Sequence, residues 1–399
     1  MGKAQQYLLP CKAAQMDSSY HMMVEKDELC IEEYSEGIIL PARRSDNGGF
    51  DCGGVITKSG DYVVLSVIPG WLSGVYDDYV CQKDSRTAVY CGRMIGHWGH
   101  FLLETLSRLW FFLEHDAPSY VYVLVVNEDT KPPVTDNFKA FFELLGIWDR
   151  IIFLNHSTQY KRVIVPERSF QYRRFFHRKY MSIFDRVISN ADRTFKMSNP
   201  MKRIFLSRSA FPKAQQSEVG LSMLDDYFMR NGYQVLHPER MPLAEFILRM
   251  QAADCCAAES GTLAHNYLFC KNAQDTIVIE RQTTVNDAQT SIARLRGLDT
   301  IYVDGYLSFA PVSQGAGPFW LHYTPCFKHF TEDAGMLPPQ DSWLTADCIR
   351  ANFAQYQQFW KQIYKDESPC PREPSRFADA FEEARNSSLH LLNSYGIDV

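Results

Sequence analysis

Along the chain, apolar positions change their spacing in a way that separates three regions. The first ~90 residues carry short β-type runs between glycines. Gly37 to Leu40, Tyr62 to Ile68 and Ala88 to Cys91 read as strands, and Gly48-Gly49 and Gly53-Gly54 as turns. From Gly96 to His115, leucines at 102, 106, 109 and 113 recur at helical spacing and predict one helix. Tyr120 to Val126 is an unbroken apolar run, the mark of a strand buried on both faces. Thr135 to Leu145 reads as a helix stopped by Gly146, Arg150 to Leu154 and Lys161 to Val165 as strands, and Tyr180 to Phe195 as a helix.

After a linker at Ser198-Asn199-Pro200 the alternation becomes regular. Strands at Arg203 to Leu206, Tyr233 to Leu236, Asp254 to Ala257, Thr276 to Glu280 and Thr300 to Val303 are separated by helices at Ser217 to Asn231, Pro242 to Ala252, Gly261 to Cys270 and Asn286 to Arg296. Strand–helix alternation at this spacing predicts a parallel sheet with crossover helices, a Rossmann-like unit. Trp343 to Tyr364 and Arg376 to Asn393 read as helices around a polar break at Lys365 to Pro374. The fold class is therefore α/β. The expected domains are an N-terminal lobe over 1–199, a C-terminal Rossmann-like lobe over 200–325 and a helical tail over 326–399.

Composition narrows the function classes. The 399 residues are 46% apolar and 22% charged, ordinary for a folded protein, with 41 Lys+Arg against 47 Asp+Glu and a formal charge of −6. The basic excess of a nucleic-acid binder is missing, so no nucleic-acid partner is expected. No run approaches the ~18 apolar residues of a transmembrane helix, and Met1 to Gln6 does not open a signal peptide. A cytoplasmic location follows as the expectation, with membrane contact at most peripheral. The 11 cysteines, without any Cys-x-x-Cys, read as reduced thiols.

Two constellations carry candidate chemistry. At ~100° per residue, His100, Glu104 and Arg108 share one arc of the expected helix, and His97 joins it if the helix starts early. A solvated strip with a Glu104–Arg108 pair is one reading. A histidine base oriented by a carboxylate is a second. A metal site from His97, His100 and Glu104, serving a hydrolase, is a third, although the spacing departs from His-Glu-x-x-His. The second constellation lies at strand ends. Arg208 stands two residues past Ile204-Phe205-Leu206, and Ser260-Gly261-Thr262 follows the third strand and opens a helix. An arginine fork beside helix-terminal N–H groups is suited to a diphosphate. Neither Gly-x-Gly-x-x-Gly after a strand nor a Gly-Lys-Ser/Thr loop occurs, which disfavours a dinucleotide oxidoreductase and an NTPase.

Gly96-His97-Trp98-Gly99-His100-Phe101-Leu102-Leu103-Glu104-Thr105-Leu106-Ser107-Arg108-Leu109 resembles the His-(Trp/Phe)-Leu-x-Glu-x-Leu-x-Arg signature of glycosyltransferase family 61. The strand ending in Ser207-Arg208, the run Gly232 to Glu239 and the stretch Glu259 to Asn266 are similar to further family motifs, so the likeness covers roughly residues 90 to 282. Two features depart from it. Ser260 stands where many members have histidine, and Phe211-Pro212-Lys213 replaces a basic pair. Without a signal anchor the chain resembles the bacterial branch linked to surface polysaccharide synthesis. The resemblance implies a GT-B fold with a cleft between two lobes. It also implies inverting, metal-independent transfer from a nucleotide-sugar to a glycan or lipid-linked glycan, with no cofactor. His100 would be the base with Glu104 as its partner or as the base itself. Ser207, Arg208, Glu239, Ser260, Gly261, Thr262 and His265 would bind the donor. A non-catalytic glycan-binding relative is the remaining alternative.

Overall fold

A computed structural model of the protein describes residues 7–44, 51–128, 130–197, 199–284, 286–310, 312, 315, 317–365 and 378–397. The expected turn at Gly48-Gly49, Ser198 of the linker and nearly all of the Lys365 to Pro374 break lie outside these residues. Contacts divide the chain into two units, Met23–Lys196 and Met1–Met22 with Met197–Val399.

In the Met23–Lys196 unit, the strands Thr158–Pro166, Gln82–Arg93, Tyr120–Val125 and Ile151–Leu154 lie side by side in that order and are parallel. Antiparallel strands Ile31–Ser35, Ile38–Arg43 and Cys52–Ile56 complete the sheet. The apolar run at Tyr120–Val125 is buried over nearly its whole length, as its composition requires.

Two expectations fail here, for connected reasons. The expected helix over Gly96 to His115 is instead a helix at Trp98–Leu103, a 3-10 turn at Thr105–Arg108 and a second helix at Trp110–His115. Hydroxyls cause the break. Thr105 Oγ1 donates to Arg93 O at 2.9 Å, tying the segment to the preceding strand, and Ser107 Oγ donates to Glu104 O at 2.7 Å, competing there with the helical ladder. The turn swings Arg108 off the His100 face and buries it, with Nε donating to Pro166 O at 2.9 Å and Nη2 to Leu65 O at 2.6 Å. The segment Tyr62 to Ile68, expected as a strand, forms a 3-10 turn at Val64–Ser66, and the Ser66 hydroxyl accepts from Val55 N.

The other unit holds a five-stranded, fully parallel sheet: β1 Arg203–Leu206, β2 Gln234–Leu236, β3 Cys255–Glu259, β4 Asp275–Glu280 and β5 Asp299–Asp304. Their spatial order is 2-1-3-4-5, so the winding direction reverses between β1 and β3. Helices Leu221–Arg230, Leu243–Ala252 and Asp287–Arg296 follow the expected alternation. The helix expected over Gly261 to Cys270 is shorter, a four-residue turn at Thr262–His265 continued as a 3-10 turn at Asn266–Phe269.

The first 22 residues belong to this unit rather than to the lobe expected over 1–199. Helix Pro10–His21, which the glycine- and β-rich start of the chain did not suggest, begins with a proline suited to a first turn. Tyr7 pairs with Val303 beyond the edge of β5. Lys12, fully buried, donates to Asp304 Oδ1 at 2.8 Å and Gln282 O at 2.5 Å and lies 3.6 Å from Glu280 Oε2. The 326–399 stretch, expected as a separate helical tail, is grouped with the same unit. Its helix Ala346–Tyr364 packs Ile349, Tyr356 and Phe359 into a core with Val219, Leu307 and Trp320, and Leu392 of the helix Ala378–Ser394 joins them.

Candidate functional site

His100 sits on the Trp98–Leu103 helix, whose apolar face anchors it. Phe101, Leu102 and Leu103 are buried, and Phe101 packs against Phe138, Phe141 and Phe142. The His100 side chain is 43% exposed and that of Glu104 only 8%. Nδ1 of His100 lies 3.3 Å from both Glu104 oxygens, so the carboxylate engages that ring nitrogen rather than Nε2. Trp71 meets the His100 ring edge-on at 4.9 Å, and the His97 ring is 5.0 Å away. Arg168 is the charged neighbour behind Glu104. Burial pushes its guanidinium down to about 9, the nearby Arg108 adds to this, and Glu104 opposes it.

Among the described residues, no three His, Cys, Asp or Glu side chains are placed to share a metal ion. His97, His100 and Glu104 therefore do not form the ligand set that the hydrolase reading needs. Glu104 also does not pair with Arg108, which is committed to backbone carbonyls.

The second constellation lies at the carboxyl edge of the parallel sheet, at the point between β1 and β3 where ligands of such sheets bind. Arg208 follows β1, and its Nη2 lies 3.1 Å from Glu218 Oε1. Arg281 follows β4, and its Nη1 donates to the same oxygen at 2.7 Å. Glu259 ends β3 with no exposure, beside Glu218 and both arginines. Glu218 Oε2, both Glu259 oxygens and Arg208 Nε are buried without a hydrogen-bond partner. Burial holds the Arg208 guanidinium below its usual range, although Glu218 opposes the shift. Burial pushes the Glu259 carboxyl well up, the Glu218 charge adds to this, and Arg208 and Arg281 oppose it.

The expected donor residues divide. Gly261 has φ +103° and ψ −145°, a region open essentially to glycine. A Cβ there would stand 2.8 Å from Arg281 Nη2, so this glycine makes room for a guanidinium rather than directly for an anion. Ser207 is fully buried and its hydroxyl accepts from Ser209 N at 3.0 Å, shaping the turn that carries Arg208. Ser260 is buried with its hydroxyl beside Glu280, and it does not cap the helix, whose N-cap is Gly261. Thr262 is half-buried in the first turn, and His265 is buried at the end of that turn. With only four residues, this helix supplies little of the dipole the sequence reading gave it. Glu239 is exposed in the turn Pro238–Arg240, near enough to favour the Arg208 charge.

Arg281, Glu218 and Glu259 were not singled out as site residues. Arg281 had a readable signal, because it follows an apolar strand just as Arg208 does. Glu218 had none, since its role arises from a contact 63 residues away in sequence.

No helix among the described residues is long and apolar enough to cross a membrane. The described cysteines are all free thiols. No curated protein matches the chain. The family model described as Glycosyltransferase 61 matches residues 98–279, a segment that takes in His100, Glu104, Arg208, Glu218 and Glu259 and ends just before Glu280 and Arg281. Residues 98–279 are thus a glycosyltransferase family 61 domain, and the chain that carries it is a glycosyltransferase.

Proposed function

We propose that the protein transfers a sugar, with inversion and without a metal, from a nucleotide-sugar to a glycan or lipid-linked glycan acceptor. The observation that carries this reading is the Arg208–Glu218–Arg281 cluster at the reversal point of a parallel sheet, inside or adjoining the family-matched segment. A departing nucleoside diphosphate gains negative charge, and buried guanidinium groups stabilise it there without reorganising. His100 takes the acceptor's proton at Nε2 while Glu104 holds Nδ1 and stabilises the imidazolium. The GT-B arrangement and a role in surface polysaccharide synthesis belong to this proposal and rest on the family resemblance.

The test has two parts. Calorimetry with a panel of nucleoside diphosphates is expected to give saturable binding of at least one. Turnover of the matching nucleotide-sugar is then compared between wild type and His100→Ala. Loss of the base is expected to lower the rate about 10²–10⁴-fold. The fold is expected to survive, because the side chain is 43% exposed. Wild-type turnover by His100→Ala would remove the base assignment.

A further inference from the structure

Two arginines from different strand ends converge on one carboxylate oxygen, Glu218 Oε1, at 3.1 and 2.7 Å. An isolated buried ion pair matches one charge with one charge. Here Glu218 faces two guanidinium groups, and the second carboxyl in reach, Glu259, is fully buried beside Glu218. Such a carboxyl escapes the cost of burial by taking up a proton. With Glu259 neutral, the cluster of Arg208, Arg281 and Glu218 carries one unbalanced positive charge. Its hydrogen bonding is also incomplete, because Arg208 Nε is buried without a partner. A network satisfied only in part destabilises the fold and is retained where a ligand completes it.

Arg281 is held as firmly as a binding group should be. Its side chain is 8% exposed, its guanidinium stacks over Phe319 at 4.3 Å, and Gly261 yields the space it occupies. Resting on the donor-site reading above, we infer that Arg281 is a second phosphate-binding arginine and that Glu218 is an internal stand-in for phosphate. In this account Glu218 keeps Arg208 and Arg281 aligned in the empty site and yields them to the ligand's oxygens on binding. Glu218 therefore competes with the ligand, whereas both arginines grip it.

Inorganic pyrophosphate is the suitable probe, because it tests the anion cradle without depending on the nucleoside. Its affinity is measured by calorimetry for wild type, Arg208→Ala, Arg281→Ala, Arg281→Lys, Glu218→Gln and the double variant Arg281→Gln/Glu218→Gln. Arg281→Ala is expected to lose about 10- to 100-fold in affinity, the loss of one charge-assisted contact. Arg281→Lys should recover part, since it keeps the charge and loses the fork. Glu218→Gln should bind several-fold more tightly than wild type. The double variant removes opposite charges together, so it remains informative if Arg281→Ala fails to fold, and it should bind more weakly than Glu218→Gln. Binding lost in Arg208→Ala but unchanged in the Arg281 variants would overturn this inference and leave the donor site standing. Weaker binding by Glu218→Gln would overturn the stand-in role. Absence of pyrophosphate binding by wild type would overturn the inference and the donor site together.

Discussion

The carboxyl edge of the parallel sheet carries two charge clusters that engage their cations differently. Around Lys12, the ammonium donates to Asp304 and to the Gln282 carbonyl, and Glu280 lies within ion-pair distance. Asp304 also accepts from Leu9 N at 2.6 Å. Around Glu218, two arginines share one oxygen and Arg208 Nε goes unmatched, whereas in the Lys12 cluster the unmatched atoms are carboxylate oxygens of Glu280. The first cluster joins the start of the chain to the sheet and leaves its cation fully engaged. The second holds its cations in readiness. Burial alone therefore does not separate structure from function here. The balance of charge and the pairing of the cations do: one cation meets two carboxylates around Lys12, and two cations meet one shared oxygen around Glu218.

The largest effect that can break this contrast concerns Lys12. Lys12→Met strands two buried carboxylates and is expected to cost about 3–5 kcal/mol, read by urea denaturation. Pyrophosphate affinity of the folded fraction should not change. A neutral substitution would mean that the Lys12 cluster is not a lock.

Arg208→Ala is expected to act the other way round. It should weaken nucleoside diphosphate binding by about 10- to 150-fold, from the loss of a charge-assisted hydrogen bond of ~1.5–3 kcal/mol. It should also lower kcat, because the leaving group gains charge in the transition state. An unchanged affinity in a folded protein would make Arg208 as structural as Lys12.

The smallest effect sharpens the comparison through pH. The Glu259 carboxyl is raised in the folded state, so its contribution to stability is complete below the unfolded carboxyl range and declines as pH rises through the folded value. Glu259→Gln removes that decline. The groups facing it are Glu218, Arg208 and Arg281. The variant should gain stability relative to wild type as pH rises above the usual carboxyl range, because the wild type alone loses the proton-linked contribution there. A difference independent of pH, followed by thermal unfolding, would mean that Glu259 is ionised throughout.

The sheet of the second unit was legible because its strands are short apolar runs punctuated by helices, and Arg203–Leu206 and Asp275–Glu280 fall within a residue of their expected positions. The placement of Arg208 followed from that regularity. The break within Gly96 to His115 was not legible, because it depends on where the Thr105 and Ser107 hydroxyls find carbonyls. Arg108 looked like a member of the His100 strip for the same reason. Periodicity assigns a face only while the helix continues. Glu218 was not legible because sequence patterns register neighbours, and it meets Arg281 only once the sheet has assembled, whereas Arg281 stands past an apolar strand as Arg208 does.

The position of Lys12 also sets an order of events. Its partner Asp304 lies 292 residues further along the chain. Closing so long a loop is thermodynamically cheap, since each doubling of separation adds only about 0.6 kcal/mol. Its consequence is for timing. A ribosome must deliver β5 before the helix Pro10–His21 can find its seat, while all of Met23–Lys196 has already been made. The helix carrying Lys12 therefore waits, with a lysine destined for burial, until β5 arrives. Removal of the Pro10–His21 helix would accordingly be felt at the β5 edge of the sheet, far along the chain from the cut.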